Sequence, residues 1–144
     1  MTAPRPEQGQ TSLLIIGFAV VAAMLVAVVV DASVAYLHRQ GLSSLADGAA
    51  LAAADGVQGE QVYVGGLGDR AEVDPVVAEV YVADYLRALG AAEHYPGLRY
   101  DVQVTSGRVL VRVAAPVDLP FTPPGVEGAP VVGSTAAAVV LVGD

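Results

Sequence analysis

Few side chains in this 144-residue sequence are of the types that carry out catalysis, and those few are scattered. The absence of cysteine excludes a thiol nucleophile, a disulfide and a thiolate-bound zinc ion. The two histidines, His38 and His94, lack the partners of a catalytic triad or a histidine-based metal site. His38 follows a long apolar segment, and we interpret it as an interfacial side chain. We therefore expect no catalytic residue and no enzyme.

Two other stretches resemble functional motifs only in part. Asp69, Glu72 and Asp74 follow the glycines of residues 65–68, but without the spacing of an EF-hand and without the lysine of a nucleotide loop. We expect neither a metal nor a cofactor there. Residues 119–123, Leu-Pro-Phe-Thr-Pro, resemble a sortase signal with proline where that signal needs glycine. We interpret them as a proline-rich connector.

Composition excludes two further classes of protein. The formal net charge is −8, with seven basic residues, all arginine, against fifteen Asp and Glu. Nucleic-acid binding requires a basic patch, so we expect no nucleic acid among the partners. Hydrophobic residues make up 54% of the sequence, which excludes a disordered chain.

The first element that the sequence predicts is a transmembrane helix over residues 13–30. This run of eighteen residues carries no charge, and as a helix it covers about 27 Å, close to the hydrocarbon thickness of a bilayer. Its twelve Leu, Ile, Val and Phe residues favour insertion by about 4–7 kcal/mol. We expect residues 1–12 to be a short cytoplasmic tail and the residues after the span to be extracytoplasmic. The charges that flank the span favour this orientation only weakly.

Two other interpretations of this segment stay open. A cleaved signal peptide has a shorter apolar core of about 7–15 residues. Residues 33–35, Ser-Val-Ala, nevertheless have the pattern of a cleavage site. A buried core helix would be shorter or amphipathic.

The helical pattern continues beyond the apolar run. Residues 31–54 contain no proline and are rich in Ala and Leu, which predicts a helical extension. Gly41 and Gly48 each cost about 1 kcal/mol relative to alanine, and we expect them to soften the helix. Asp55-Gly56 is typical of a helix end, so we predict a glycine-rich loop over residues 55–73.

The remaining residues, 74–144, predict a small α+β domain. Asp74 is a candidate N-cap with Pro75 in the first helical turn, and the helix is expected to reach Gly90. Its predicted apolar face contains Ala78, Tyr81, Val82, Tyr85 and Leu89.

Alternating residues predict an antiparallel sheet of about three strands beneath this helix. Residues 98–105 and 108–113 flank Ser106-Gly107 at the spacing of a two-residue hairpin, and residues 131–142 predict a third strand, apolar on both sides. The expected hairpin pairs are Val104 with Val109, Val102 with Val111, Tyr100 with Val113, and Asp101 with Arg112.

Small residues line one side of the predicted span. Ala19, Ala23 and Ala27 repeat every four residues, and Asp31 and Ala35 continue the line past the apolar run. Small residues allow a second helix to approach closely in lipid, which predicts a helix-packing surface. An Ala- and Val-rich composition also produces such lines by chance.

The N-terminal sequence resembles the TadE/TadG-like Flp pilus-assembly proteins of tight-adherence (Tad) systems. Their signature is an apolar span, an Asp, an aromatic residue, a polar turn and an Ala-rich segment, and here it covers roughly residues 9–56. The positions that match the signature are Asp31, Tyr36, Arg39, Gln40, Asp47, Ala49, Ala50 and Leu51.

This resemblance implies a single-pass structural or assembly component of a Flp/Tad-type pilus or secretion system in a bacterial cytoplasmic membrane. Its implied partners are the membrane and other assembly or secretion proteins, with a pilin-like domain outside the cytoplasm. Pseudopilins of these systems are processed after a glycine that has Glu five residues later, whereas Gly9 is followed at that distance by Leu14. We therefore expect the TadG-like, unprocessed type. A secreted, non-enzymatic binding domain released by signal peptidase is the alternative.

Overall fold

The computed structural model describes residues 8–64, 74–121 and 128–140. In these residues three helices precede three strands, which confirms the predicted α+β fold class with its long N-terminal helix. The helices are α1 (Gln8–Val64), α2 (Pro75–Ala88) and a short α3 (Ala91–His94), and the strands are β1 (Arg99–Thr105), β2 (Arg108–Pro116) and β3 (Val131–Val139).

Helix α1 has 57 residues and is about 85 Å long. It joins the predicted span and the predicted extension without a break. It also continues to Val64, so residues 55–64 are helical where the sequence predicted a loop. Gly56 is inside the helix because its lack of a side chain makes room for the ring of Tyr81 in α2, not because the chain needs a glycine to end the helix there. The rest of the predicted loop, with Asp69 and Glu72, lies outside the described residues.

The core lies between the C-terminal half of α1, helix α2 and one face of the sheet. The sequence predicted that α2 would be the helix covering the sheet, but α1 packs on β2 and β3 while α2 packs on α1 and β1. Alanine dominates the buried side of α1, which allows its backbone to approach the sheet closely. The buried residues of α1 are Leu42, Leu45, Ala46, Ala49, Ala50, Ala53, Ala54 and Val57.

Helix α2 begins where the sequence predicted and ends slightly earlier. The Asp74 carboxylate accepts a hydrogen bond from the Val76 backbone N–H at 2.8 Å, so Asp74 is the N-cap. Gly90 adopts a φ of +60°, a left-handed conformation that stops the helix at Ala88. Leu89 is consequently half exposed rather than part of the apolar face.

The sheet is antiparallel in the order β1-β2-β3. Its β1–β2 register matches all four predicted pairs, including Asp101 opposite Arg112. Ser106 and Gly107 form the connecting turn with φ values of 50° and 73°, as a two-residue hairpin requires. Strand β3 ends at Val139, and residues 141 and 142 of the predicted strand lie outside the described residues.

Candidate functional site along the first helix

The N-terminal third of α1 is an apolar surface that the rest of the described chain leaves uncovered. Its large side chains, from Leu13 to Val29, are between 48% and 74% exposed. A helix within Thr11–Gly59 is long and apolar enough to cross a membrane, and its most apolar window is 0% buried. An apolar helical surface of this length is unfavourable in water and suits a lipid environment.

The predicted line of small residues lies on this surface. Ala19 and Ala23 are exposed, and Ala27 and Asp31 are partly buried. The structure therefore leaves Ala19 and Ala23 accessible to another helix, and their role in packing remains a prediction.

Asp31 meets a hydrogen-bond donor within its own chain. Its Oδ1 atom accepts a hydrogen bond from the backbone N–H of Phe121 at 3.1 Å. The two residues are 90 positions apart in the sequence, which is why no sequence pattern indicated the contact. Two residues further along α1, the Ser33 hydroxyl donates to the Val29 carbonyl at 2.7 Å. Asp31 and Ser33, at the end of the apolar segment, thus both have hydrogen-bond partners within the chain.

The signature positions divide into two groups. Ala49 and Ala50 are buried in the core, at 0% and 1% exposure, so their small size is a packing requirement. Tyr36 and Leu51 are more than half exposed, and Asp47 is exposed as well. The folded domain does not explain these three exposed positions, and they are accessible to other molecules.

Three glycines of α1 contact tyrosines, a feature that the sequence analysis missed. A Cβ atom added to Gly41, Gly48 or Gly56 would lie within 2.5 Å of a tyrosine side chain. Because these glycines have no side chain, the tyrosine rings pack directly against α1, and the helix continues unbroken through all three positions. Their spacing of seven and eight residues, on one side of α1, was the available signal. Their partners are Tyr95, Tyr85 and Tyr81, respectively.

The two histidines make different contacts within the fold. His38 packs edge-to-face on Tyr95, with ring centroids 5.1 Å apart, and its Nε2 atom is buried without a hydrogen-bond partner among the described residues. The structure thus puts His38 against the domain, whereas the sequence suggested an interfacial side chain. His94 Nδ1 lies 3.1 Å from the Gly90 carbonyl oxygen at the start of α3.

Carboxylates and histidines do not cluster in the part of the chain that the structure describes. There, no three His, Cys, Asp or Glu side chains are close enough together to hold a metal ion. What α1 exposes is an apolar surface, small residues and a few motif positions.

The N-terminal part of the chain matches a known protein family. Residues 9–56 match the Tad family model, Flp pilus-assembly TadE/G-like. The match confirms the resemblance seen in the sequence and covers one third of the chain. No curated protein and no solved structure matches the chain.

The residues that match the family model form one continuous part of α1. It begins at Gly9, one residue after the start of α1, and ends at Gly56, the last glycine that contacts a tyrosine. The matched residues therefore include the apolar surface, Asp31 and most of the buried side of α1. The remaining elements, α2 and the sheet, lie outside the match.

Proposed function

We propose that this protein is a membrane-anchored, non-enzymatic structural or assembly component of a Flp/Tad-type pilus or secretion system. The observation that carries the proposal is the continuity of α1. One uninterrupted helix contains the exposed apolar segment, the family-matched residues and the buried residues that form one side of the core. Because this helix has no break, it holds the domain at a fixed distance from a membrane that the apolar segment crosses.

In this proposal α1 crosses the bacterial cytoplasmic membrane once, with the N-terminus inside. An apolar segment of about 27 Å suits the hydrocarbon layer, and Asp31 then lies at its outer boundary. The small acidic domain stands outside the cytoplasm on the remaining turns of α1. Its partners are the membrane and other assembly or secretion proteins.

The packing surface of the span is the proposed contact with those proteins. Hydrophobicity does not drive helix association within lipid, so close approach at small residues supplies the contact. Replacing Ala23 by phenylalanine keeps insertion favourable but prevents close approach. Val21→Phe places the same side chain on another side of α1 and serves as the matched control.

The test is piliation of a strain in which the chromosomal gene is deleted and variants are supplied in trans. We expect that deletion abolishes Flp pili, that the wild type and Val21→Phe restore them, and that Ala23→Phe does not. Undiminished piliation in the deletion strain would contradict the proposed function. Full restoration by Ala23→Phe would instead contradict the packing surface alone.

A further inference from the structure

The connector between β2 and β3 contains a second apolar group beside the end of the apolar segment. Its two ends are joined where the Val117 N–H donates to the Pro130 carbonyl at 2.9 Å, and Val117 is buried. From there the chain leaves the sheet and reaches Asp31 with Phe121. Residues 117–121, the first described part of the connector, therefore extend from the sheet toward the apolar segment of α1.

The direction in which these residues extend follows from the strand order. Strand β2 runs from the hairpin turn to Pro116, and the turn is also where the Val140 N–H donates to the Gly107 carbonyl, at 2.8 Å. Pro116, at the other end of β2, lies against Gly97, two residues after Tyr95, which contacts Gly41 of α1. The connector thus leaves the end of the domain that faces the apolar segment.

Asp31 fixes the height of the connector relative to a bilayer. Asp31 directly follows Val30, the last apolar residue, so it lies one helical step of about 1.5 Å beyond the run. The interfacial layer on each side of the hydrocarbon is about 5–8 Å thick. With the apolar run across the hydrocarbon, as in the proposed function, the backbone of Phe121, 3.1 Å from Asp31, falls within that layer.

Phe121 has the exposure and the chemistry for contact with lipid. Its side chain is 53% exposed, although it follows Leu119 and Pro120 in an apolar stretch. Apolar side chains such as phenylalanine and leucine anchor interfacial segments by inserting at the boundary between headgroups and acyl chains. The chain as a whole carries a net charge of −8, so an apolar contact, rather than electrostatic attraction, is the mode of binding available to it.

We propose that Phe121, with Leu119 and Pro120 before it, inserts into the interfacial layer of the bilayer, with Asp31 as the residue that positions them. This inference rests on the membrane anchoring in the proposed function and adds a second membrane contact to it. Two contacts, the span and the connector, restrict the tilt of the domain on the membrane more than the span does alone.

The absence of tryptophan allows a direct test, since a single introduced tryptophan is the only indole in the chain. The full chain is reconstituted into phosphatidylcholine vesicles whose acyl chains are brominated either near the headgroups or near their ends. Three variants are compared: Phe121→Trp in the connector, Leu25→Trp in the apolar segment and Val76→Trp at the start of α2, all at exposed positions.

We expect lipid brominated near the headgroups to quench the fluorescence of Phe121→Trp and to leave that of Val76→Trp unchanged. Leu25→Trp should be quenched by the deeper bromines. An unquenched Phe121→Trp beside a quenched Leu25→Trp would overturn the connector contact and leave the anchoring intact. Absence of quenching at Leu25→Trp would overturn the anchoring, and with it this inference.

The role of Asp31 is tested in the Phe121→Trp background. Asp31→Asn retains an oxygen that accepts the Phe121 N–H, so quenching should persist. Asp31→Ala removes the acceptor, so the connector should lose its position and quenching should fall. Equal quenching in both variants would refute the positioning role of Asp31.

Discussion

At the residue scale, the glycines of α1 show how one residue type serves opposite purposes. Gly41, Gly48 and Gly56 each cost helix propensity, and the sequence alone suggested weak points in the helix. In the structure each one makes room for a tyrosine. The close contact between α1 and the tyrosines therefore depends on the lack of a side chain at these three positions.

Gly56 is the position where this requirement is strictest. An added Cβ would lie 2.5 Å from Cγ of Tyr81, an atom at the base of the ring that side-chain rotation does not easily move. We predict that Gly56→Ala lowers the free energy of unfolding by about 1–2 kcal/mol, because overpacking exceeds the gain in helix propensity. Chemical unfolding of the full chain in detergent, followed by circular dichroism, measures this change.

Gly59 provides the matched control three residues further along α1. An added Cβ there meets nothing within 4 Å. Gly59→Ala should therefore leave the protein as stable as the wild type or raise its stability by up to about 1 kcal/mol. If both substitutions stabilise the protein equally, the proposed packing of Tyr81 against Gly56 is wrong.

At the scale of elements, α1 is both the apolar segment and the central helix of the core. The strands bury Val109, Val111 and Val113 on the side that faces the helices. Eight residues of α1 from Leu42 to Val57 are buried in the same core. Without that part of α1, the apolar side of the sheet would be exposed to water.

This arrangement predicts where the chain can be divided. A fragment of residues 74–144 should not unfold cooperatively, because it lacks the α1 side of the core, whereas residues 36–144 should. Differential scanning calorimetry of the two fragments compares them directly. A cooperative transition of residues 74–144 at the temperature found for residues 36–144 would show that α1 is dispensable for the fold.

Local signals were sufficient to predict most of the elements. The N-cap at Asp74 and the hairpin at Ser106-Gly107 follow from short-range chemistry, and the alternation of Val with polar residues determined the register. The packing of α1 on the sheet was not predicted, because a helix rich in alanine has buried positions that resemble exposed ones. The contact between Asp31 and Phe121 is non-local and has no signature in the sequence.

At the scale of the whole molecule, the proposal places the domain outside the cytoplasm. Fusing alkaline phosphatase after Asp144 should therefore give an active enzyme, because this phosphatase folds only outside the cytoplasm. A β-galactosidase fusion at the same position is the control and should be inactive. Inactive phosphatase together with active β-galactosidase would reverse the proposed orientation.

In the working protein, we expect the apolar segment of α1 to stay joined to the domain. Intact-mass spectrometry of the protein extracted from the bacterial membrane tests this expectation directly. Leu14 stands where prepilin processing after Gly9 requires glutamate, and the apolar run is longer than that of a signal peptide, so we predict a mass that includes residues 10–35 and whatever precedes them. A mature N-terminus at Gln10 would place the protein among processed pseudopilins, and a mass lacking residues 1–35 would contradict the membrane anchor itself.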